Sequence, residues 1–327
     1  MPKTAEPVAI ERLTRLNEGG PDDLFICCAS FEDRCLSSIS KMKVDFRTRF
    51  AVIFVIEEPL YKKQVDDYKF RLQAELARRS TEGVFVISCP RDDPADGLNQ
   101  FKQTWKKCQP GCSAESFITI DISGFTKIYL LEILHYLVTE LELPLPRIIH
   151  TTQVYLPTRL TDGIAQIATI PSFYGQLSLD KETVLVLFLG FEPERSLAVW
   201  KHANPSRTIA LITSPPRGGN LNYLKYAREN NSYLLSQPSV EVRDVPPDSP
   251  YGARQVLEAI FNETKGSLNM VIGPFGTKPQ VVGMFLFCAE HPRVQVIYSF
   301  PVKYTRSYLR RKPGSTLLLP LATPLAV

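Results

Sequence analysis

The chain has 327 residues, 44% hydrophobic and 22% charged, enough apolar material for one large core or two of ordinary size. Its formal net charge of +4 and pI near 8.6 are too weakly basic for a protein whose main work is coating nucleic acid, yet they leave room for a local contact with an anion. No run reaches the roughly 18 apolar residues that a membrane span needs, and no basic-then-apolar leader opens the sequence, so a soluble, cytoplasmic protein without membrane contact is expected.

Seven cysteines, odd in number and scattered through apolar runs, form no disulfide framework and suit a reducing compartment. Cys108 and Cys112 make no metal set. The four histidines have no mutual ligand spacing, so neither a metal nor a cofactor is expected.

In chain order, residues 1–21 read as a polar extension with a short helix from Val8 to Leu16. Leu24 to Ala29 is a continuous apolar run of the kind found in a strand buried on both faces. It ends at Ser30-Phe31-Glu32-Asp33-Arg34, and Cys35 to Met42 continues as a short helix. Phe50 to Ile56 is the next strand, Tyr61 to Arg79 a charged amphipathic helix closed by Glu82-Gly83, Val84 to Ser88 a strand and Leu98 to Lys107 a helix. Phe117 to Ile122 is a fourth strand, followed by the helical run Ile128 to Glu140. Arg147 to Thr152 is a fifth strand. Val154 to Leu160 and Ile164 to Ile170 flank Thr161-Asp162-Gly163, a hairpin signal.

The order then repeats. Thr183 to Leu189 is a strand ending at Gly190-Phe191-Glu192-Pro193-Glu194-Arg195, followed by a helix from Ser196 to His202 and a strand from Thr208 to Thr213. Leu221 to Asn230 is a helix, Val240 to Val245 a strand, Ala253 to Thr264 a helix and Met270 to Ile272 a strand. Gly273-Pro274-Phe275-Gly276-Thr277-Lys278 turns into the helix Val281 to Cys288, and Val294 to Phe300 is the last core strand. Tyr304 to Arg310 and Thr316 to Leu321 flank Lys312-Pro313-Gly314, a second hairpin in the matching place. Shared order at similar offsets marks an internal duplication. The predicted architecture is α/β: two tandem Rossmann-like, doubly wound parallel sheets, each ending in a β-hairpin and packed as a pseudo-dimer, over residues 22–182 and 183–327.

In such a sheet the strand order reverses beside the first strand, so the loops after strands one and four open side by side at the carboxyl edge, where ligands bind. Ser30, Phe31, Glu32 and Arg34 should therefore line one crevice with Ser123, Gly124, Thr126 and Lys127. Gly190, Phe191, Glu192 and Arg195 should line the other with Gly276, Thr277 and Lys278. A strand that turns through Gly into a helix points unpaired N–H groups into the crevice, and Lys and Arg beside two such helix starts suit a phosphate. Phe31 and Phe191 can stack on a base or pack under the turn. Glu32 with Arg34, and Glu192 with Arg195, can meet a ligand or pair locally. A Lys at a helix N-terminus opposes the helix dipole, which favours a ligand contact for Lys127 and Lys278. The copies differ, since Pro274 stands where the first has Ser123, so the crevices are expected to be unequal. Arg306 to Lys312, with Tyr304 and Tyr308, reads as a solvated hairpin tip or a nucleic-acid contact.

Asp121-Ile122-Ser123-Gly124-Phe125-Thr126-Lys127 resembles the turn after the fourth strand of CARF domains, the CRISPR-associated Rossmann-fold sensors, with Phe125 in place of a glycine of that pattern. Two such units in one chain resemble the SAVED arrangement. The resemblance implies an oligonucleotide sensor of a prokaryotic defence system, with a site for a cyclic or linear oligonucleotide and a separate effector or partner protein. With no nucleophile and base paired in sequence, a non-catalytic binding module is the first expectation. The alternatives are a nucleotide-processing hydrolase or transferase with Glu32 as acid or base and Lys127 on the oxyanion, and a scaffold subunit.

Overall fold

The computed structural model describes residues 8–9, 22–91, 93–108, 113, 115–153, 160–213, 221–264, 266–305 and 313–321. Most of the expected leading helix, the first arm of the first hairpin, Cys112 and the basic stretch Arg306 to Lys312 lie outside them. Val8 and Ala9 belong to a short strand, not to a helix.

The first half contains β1 (Val8–Ala9), β2 (Asp22–Ala29), α1 (Ser37–Lys41), β3 (Thr48–Ile56), α2 (Lys62–Ala77), β4 (Ser80–Cys89), α3 (Pro94–Cys108), β5 (Ile118–Asp121), α4 (Lys127–His135), β6 (Arg147–Gln153) and β7 (Thr161–Thr169). The second contains β8 (Thr183–Leu189), α5 (Pro193–Ala203), β9 (Arg207–Thr213), α6 (Leu221–Asn230), α7 (Ser232–Leu235), β10 (Val240–Val245), α8 (Pro250–Thr264), β11 (Asn269–Pro274), α9 (Lys278–Glu290), β12 (Gln295–Tyr304) and β13 (Pro313–Leu319). The apolar runs became strands because they lie between covering layers: no residue from Leu24 to Ala29 is more than 1% exposed. Glu82-Gly83 does not end a helix but lies inside β4. The helix expected to reach Glu140 widens after His135 into a π-type turn, Tyr136–Glu140.

The first sheet has the order β1-β13-β6-β5-β2-β3-β4 and the second β10-β9-β8-β11-β12-β7. In the first, β4, β3, β2, β5 and β6 pair in parallel, and in the second β10, β9, β8, β11 and β12 do the same. Both are doubly wound, and each places its first strand beside its fourth: Leu24 faces Ile118 in one, and Met270 faces Val184 in the other. The α/β fold with two mainly parallel sheets is as the sequence predicts.

The ends of the sheets depart from it. Each sheet does gain an antiparallel strand beside its fifth, but that strand comes from the other half of the chain: β7 pairs with β12, and β13 pairs with β6. Accordingly, contacts gather Glu6–Val154 with Arg311–Pro320 in one unit and Tyr155–Arg310 in the other. The expected turn Thr161-Asp162-Gly163 is the start of β7. There Asp162 meets Lys303 across the pair at 3.2 Å, Gly163 takes a φ of +66° opposite Val302, and the ladder slips at Ala165, between the pairs Ile164–Pro301 and Gln166–Phe300. Pro313 opens β13, a position where its missing N–H costs the ladder little. Among the described residues no helix is long and apolar enough to cross a membrane.

Candidate functional site

At the carboxyl edge of the first sheet, β2 leaves its buried run at Ser30. The Ser30 hydroxyl accepts from the Glu32 N–H at 3.3 Å, and the Cys35 N–H then donates to the Glu32 carbonyl to begin a 3-10 turn, Asp33–Leu36. Arg34 grips Glu32 through Nη2 to Oε1 at 3.0 Å and Nε to Oε2 at 2.8 Å. Both side chains are buried, so this is an internal pair whose geometry matters more than its strength. Phe31 is buried against Tyr61, ring centroids 4.7 Å apart.

β5 ends in Asp121, a buried carboxylate that organises the adjoining turn. One oxygen accepts from the Ser38 hydroxyl on α1 and the other from the Ser123 N–H at 2.9 Å, an Asx-type turn. The Ser123 hydroxyl in turn accepts from the Thr151 N–H on β6 at 2.8 Å, which uses it inside the protein. Gly124 then passes over the end of β2 so closely that a Cβ there would sit 2.1 Å from the Cys28 carbonyl oxygen. Phe125 is buried against Phe54 at 5.3 Å. Thr126 is the N-cap of α4 and Lys127 its first residue.

The side chain of this cap makes no capping hydrogen bond, and Thr126 Oγ1 is buried with no hydrogen-bond partner among the described residues. Such a hydroxyl costs free energy until something fills it. The two loops thus meet as the topology predicts. Of the eight residues placed in this crevice by the sequence, Gly124, Thr126 and Lys127 are partly exposed, and Ser30, Phe31, Glu32, Arg34 and Ser123 are buried behind them.

The sequence reading missed Glu58 and Arg91, which pair at 3.3 Å in the loops after β3 and β4. Tyr129, in the first turn of α4, ties the second of these loops down through its hydroxyl, 2.5 Å from the Pro90 carbonyl and 3.0 Å from that of Asp93. Their signal was position alone: both follow a core strand at the carboxyl edge. Burial pushes the Cys27 and Cys35 thiols up, Cys35 to about 12, with the Asp121 carboxylate adding to it, so these thiols offer no thiolate near neutral pH.

The second edge is built from the same parts and filled differently. Gly190 approaches the Phe275 carbonyl, where a Cβ would come to 2.5 Å. The carbonyls of Gly190 and Phe191 accept from the side-chain amides of Asn231 and Asn230, at 2.9 and 3.0 Å. Glu192 Oε1 accepts from the Leu160 N–H at 3.1 Å and the Thr161 hydroxyl at 2.6 Å, so it holds the start of β7. Arg195 is buried. It reaches Glu192 Oε2 at 3.3 Å, donates through Nη2 to the Ser299 carbonyl at 2.6 Å, and lies over the rings of Phe275 and Tyr298 at 5.2 and 4.8 Å.

The second helix start is closed. Thr277 and Gln280 form a capping box: the Thr277 hydroxyl accepts from the Gln280 N–H at 3.4 Å, and Gln280 Oε1 accepts from the Thr277 N–H at 2.8 Å. Gln280 Nε2 also donates to Thr213 and to the Pro246 carbonyl, and Pro279 contributes no N–H. Gly276 lies against the Gln280 amide, and Lys278 is partly exposed at the first position of α9. Among the described residues no group of His, Cys, Asp and Glu side chains could hold a metal ion.

No family model matches the sequence, and no curated protein matches it. Among solved structures, Can2 from Sulfobacillus thermosulfidooxidans in complex with cyclic tetra-adenylate is similar over 35% of this chain and 31% of its own, at 16% identity and a TM-score of 0.27. A type III CRISPR defence DNA nuclease activated by cyclic oligoadenylate is similar over 82% of this chain and 64% of its own, at 10% identity and a TM-score of 0.47. A periplasmic ribose ABC transporter protein from Conexibacter woesei matches over 75% of this chain and 69% of its own, at 12% identity and a TM-score of 0.24. The chain spans less than two thirds of the length of either of the first two proteins, and all three TM-scores are low.

Proposed function

We propose that the chain is a nucleotide- or oligonucleotide-binding sensor of a prokaryotic defence system, and that the turn from β5 into α4 takes a phosphate of its ligand. One observation carries this reading: the buried Thr126 hydroxyl stands without a partner at an uncapped helix start beside Lys127. A phosphate oxygen there accepts from that hydroxyl, from the N–H groups of the first helical turn and from the ammonium, three donors suited to an anion. Glu32, Arg34 and Phe31 shape the wall behind it, and Asp121 and Ser123 fix the turn. The second crevice binds more weakly, because Gln280 occupies the place an anion would take. The signal passes to a separate partner protein.

Titration calorimetry against cyclic and linear oligoadenylates tests this, cyclic tetra-adenylate first because it is the ligand of one neighbour. Binding with one strong site per chain is the expected result. No heat and no shift in melting temperature with any member at millimolar concentration would leave the turn a purely structural corner.

A further inference from the structure

Next to the first loop lies a second concavity that the ligand reading does not use. It runs between α1 and α2 and encloses about 400 Å³. Its floor is Leu36, Ile39 and Leu72, the last two buried. On its flank Phe70 projects from α2 with 70% of its surface exposed, an unusual position for a ring on an otherwise charged helix. Val44, 85% exposed, sits in the loop that Arg79 holds by donating to the Lys43 carbonyl at 2.5 Å.

The rim is basic. Among the residues that line the groove, Arg71 and Arg79 stand against one carboxylate, Glu75; around it, residues 36–45 and 62–79 carry eight cations against four carboxylates, with Lys69 held by Asp66 at 3.1 Å. Glu75 is engaged by Arg78 at 2.9 Å, whereas Arg71 stands 4.0 Å from Asp67 with 57% of its side chain exposed. An apolar floor inside a cationic rim fits a peptide that brings an apolar anchor flanked by acids. A nucleic acid would meet the charges but leave the apolar floor unfilled.

We infer that this groove is a docking site for a short acidic segment of a partner protein, which seats an aromatic or aliphatic side chain beside Phe70 and its carboxylates on Arg71 and Arg79. Its wall is continuous with the ligand loop, since Arg34 and Leu36 share one 3-10 turn. The docking surface stands independently of the ligand turn, so either can fail without the other.

The experiment is to pan a phage library of random 16-residue peptides on the full chain and measure the enriched peptides by fluorescence anisotropy. Enriched peptides combining an aromatic or Leu with Asp or Glu are expected, weakened at least 10-fold by Phe70→Asp and by Arg71→Glu. Both positions are exposed, and unchanged melting of the variants confirms that they fold. The inference is overturned if no peptide is enriched, if the enriched peptides are basic, or if Phe70→Asp leaves their affinity unchanged. It is equally overturned if single-stranded DNA competes with the peptides for Phe70.

Discussion

The turns into α4 and α9 start from the same strand-to-helix plan and finish in opposite states. In the second, Thr277 and Gln280 satisfy each other, and Gln280 is anchored further by Thr213 and Pro246. In the first, the residue in the place of Gln280 is Tyr129, which turns away to hold the loop after β4, and the Thr126 hydroxyl is left alone. The difference teaches that a duplicated helix start can be left without a side-chain cap or sealed by one side chain three residues on. A sealed start stabilises the fold; an open one costs stability and keeps donors for something else.

The largest expected effect separates the two glycines. Gly124→Ala drives a Cβ to 2.1 Å from a backbone carbonyl that cannot yield, and should cost about 3 kcal/mol or more. Gly276→Ala meets the amide end of Gln280 at 2.0 Å, which can swing away at the loss of the capping box, about 1 kcal/mol, and approaches Phe188 Cβ at 3.1 Å, a contact that a shift of a few tenths of an ångström relieves. Urea denaturation of the two variants measures this, and equal losses would erase the distinction between a rigid and a yielding contact.

Next in size is the charge. Lys127→Ala should weaken an oligoadenylate by about 10- to 150-fold, the value of a charge-assisted hydrogen bond of about 1.5 to 3 kcal/mol, while its stability stays within about 0.5 kcal/mol of the parent. Calorimetry and melting curves on one preparation check both halves. Unfolding with unchanged affinity in the folded fraction would overturn the ligand role.

Smaller still is the hydroxyl pair. Thr126→Val removes an unpartnered group, so the free protein should be as stable as the parent or slightly more so, yet bind ligand about 2- to 10-fold less well. Thr277→Val removes a working cap and should cost about 1 kcal/mol with no effect on ligand. The test is a lowered melting temperature in Thr277→Val with no lowering in Thr126→Val. Smallest is Lys278→Ala, expected to change the calorimetric affinity by less than about threefold because its turn is occupied; a loss matching that of Lys127→Ala would make the two turns equivalent after all.

Much of this was legible in the sequence. The central strands appear as apolar runs because sheets covered on both faces demand them, whereas β10 at a sheet edge alternates as Val-Glu-Val-Arg-Asp-Val; the meeting of the loops after the first and fourth strands follows from winding order. The box at Thr277 was also legible, since Thr-Lys-Pro-Gln has the spacing of a capping box. Which side chains reach solvent was not. Glu32 and Arg34, or Glu192 and Arg195, look alike whether they face a ligand or each other, and only burial decides. The partners of β7 and β13 were hidden for another reason: alternation tells a strand that it has a partner, and a nearby turn-like triplet suggests the neighbour, but nothing local distinguishes that neighbour from a strand elsewhere in the chain.

The exchange of outer strands bears on synthesis. Thr151 of β6 meets Thr316 of β13, 165 residues further along. A ribosome delivers the first five core strands long before that partner, and in the interval β6 presents an open row of backbone donors and acceptors, the kind of edge on which nascent chains aggregate. Completion of the first sheet therefore waits for the second half to emerge, and a chain cut near residue 182 would yield one piece lacking β13 and another lacking β7, neither with its sheet finished.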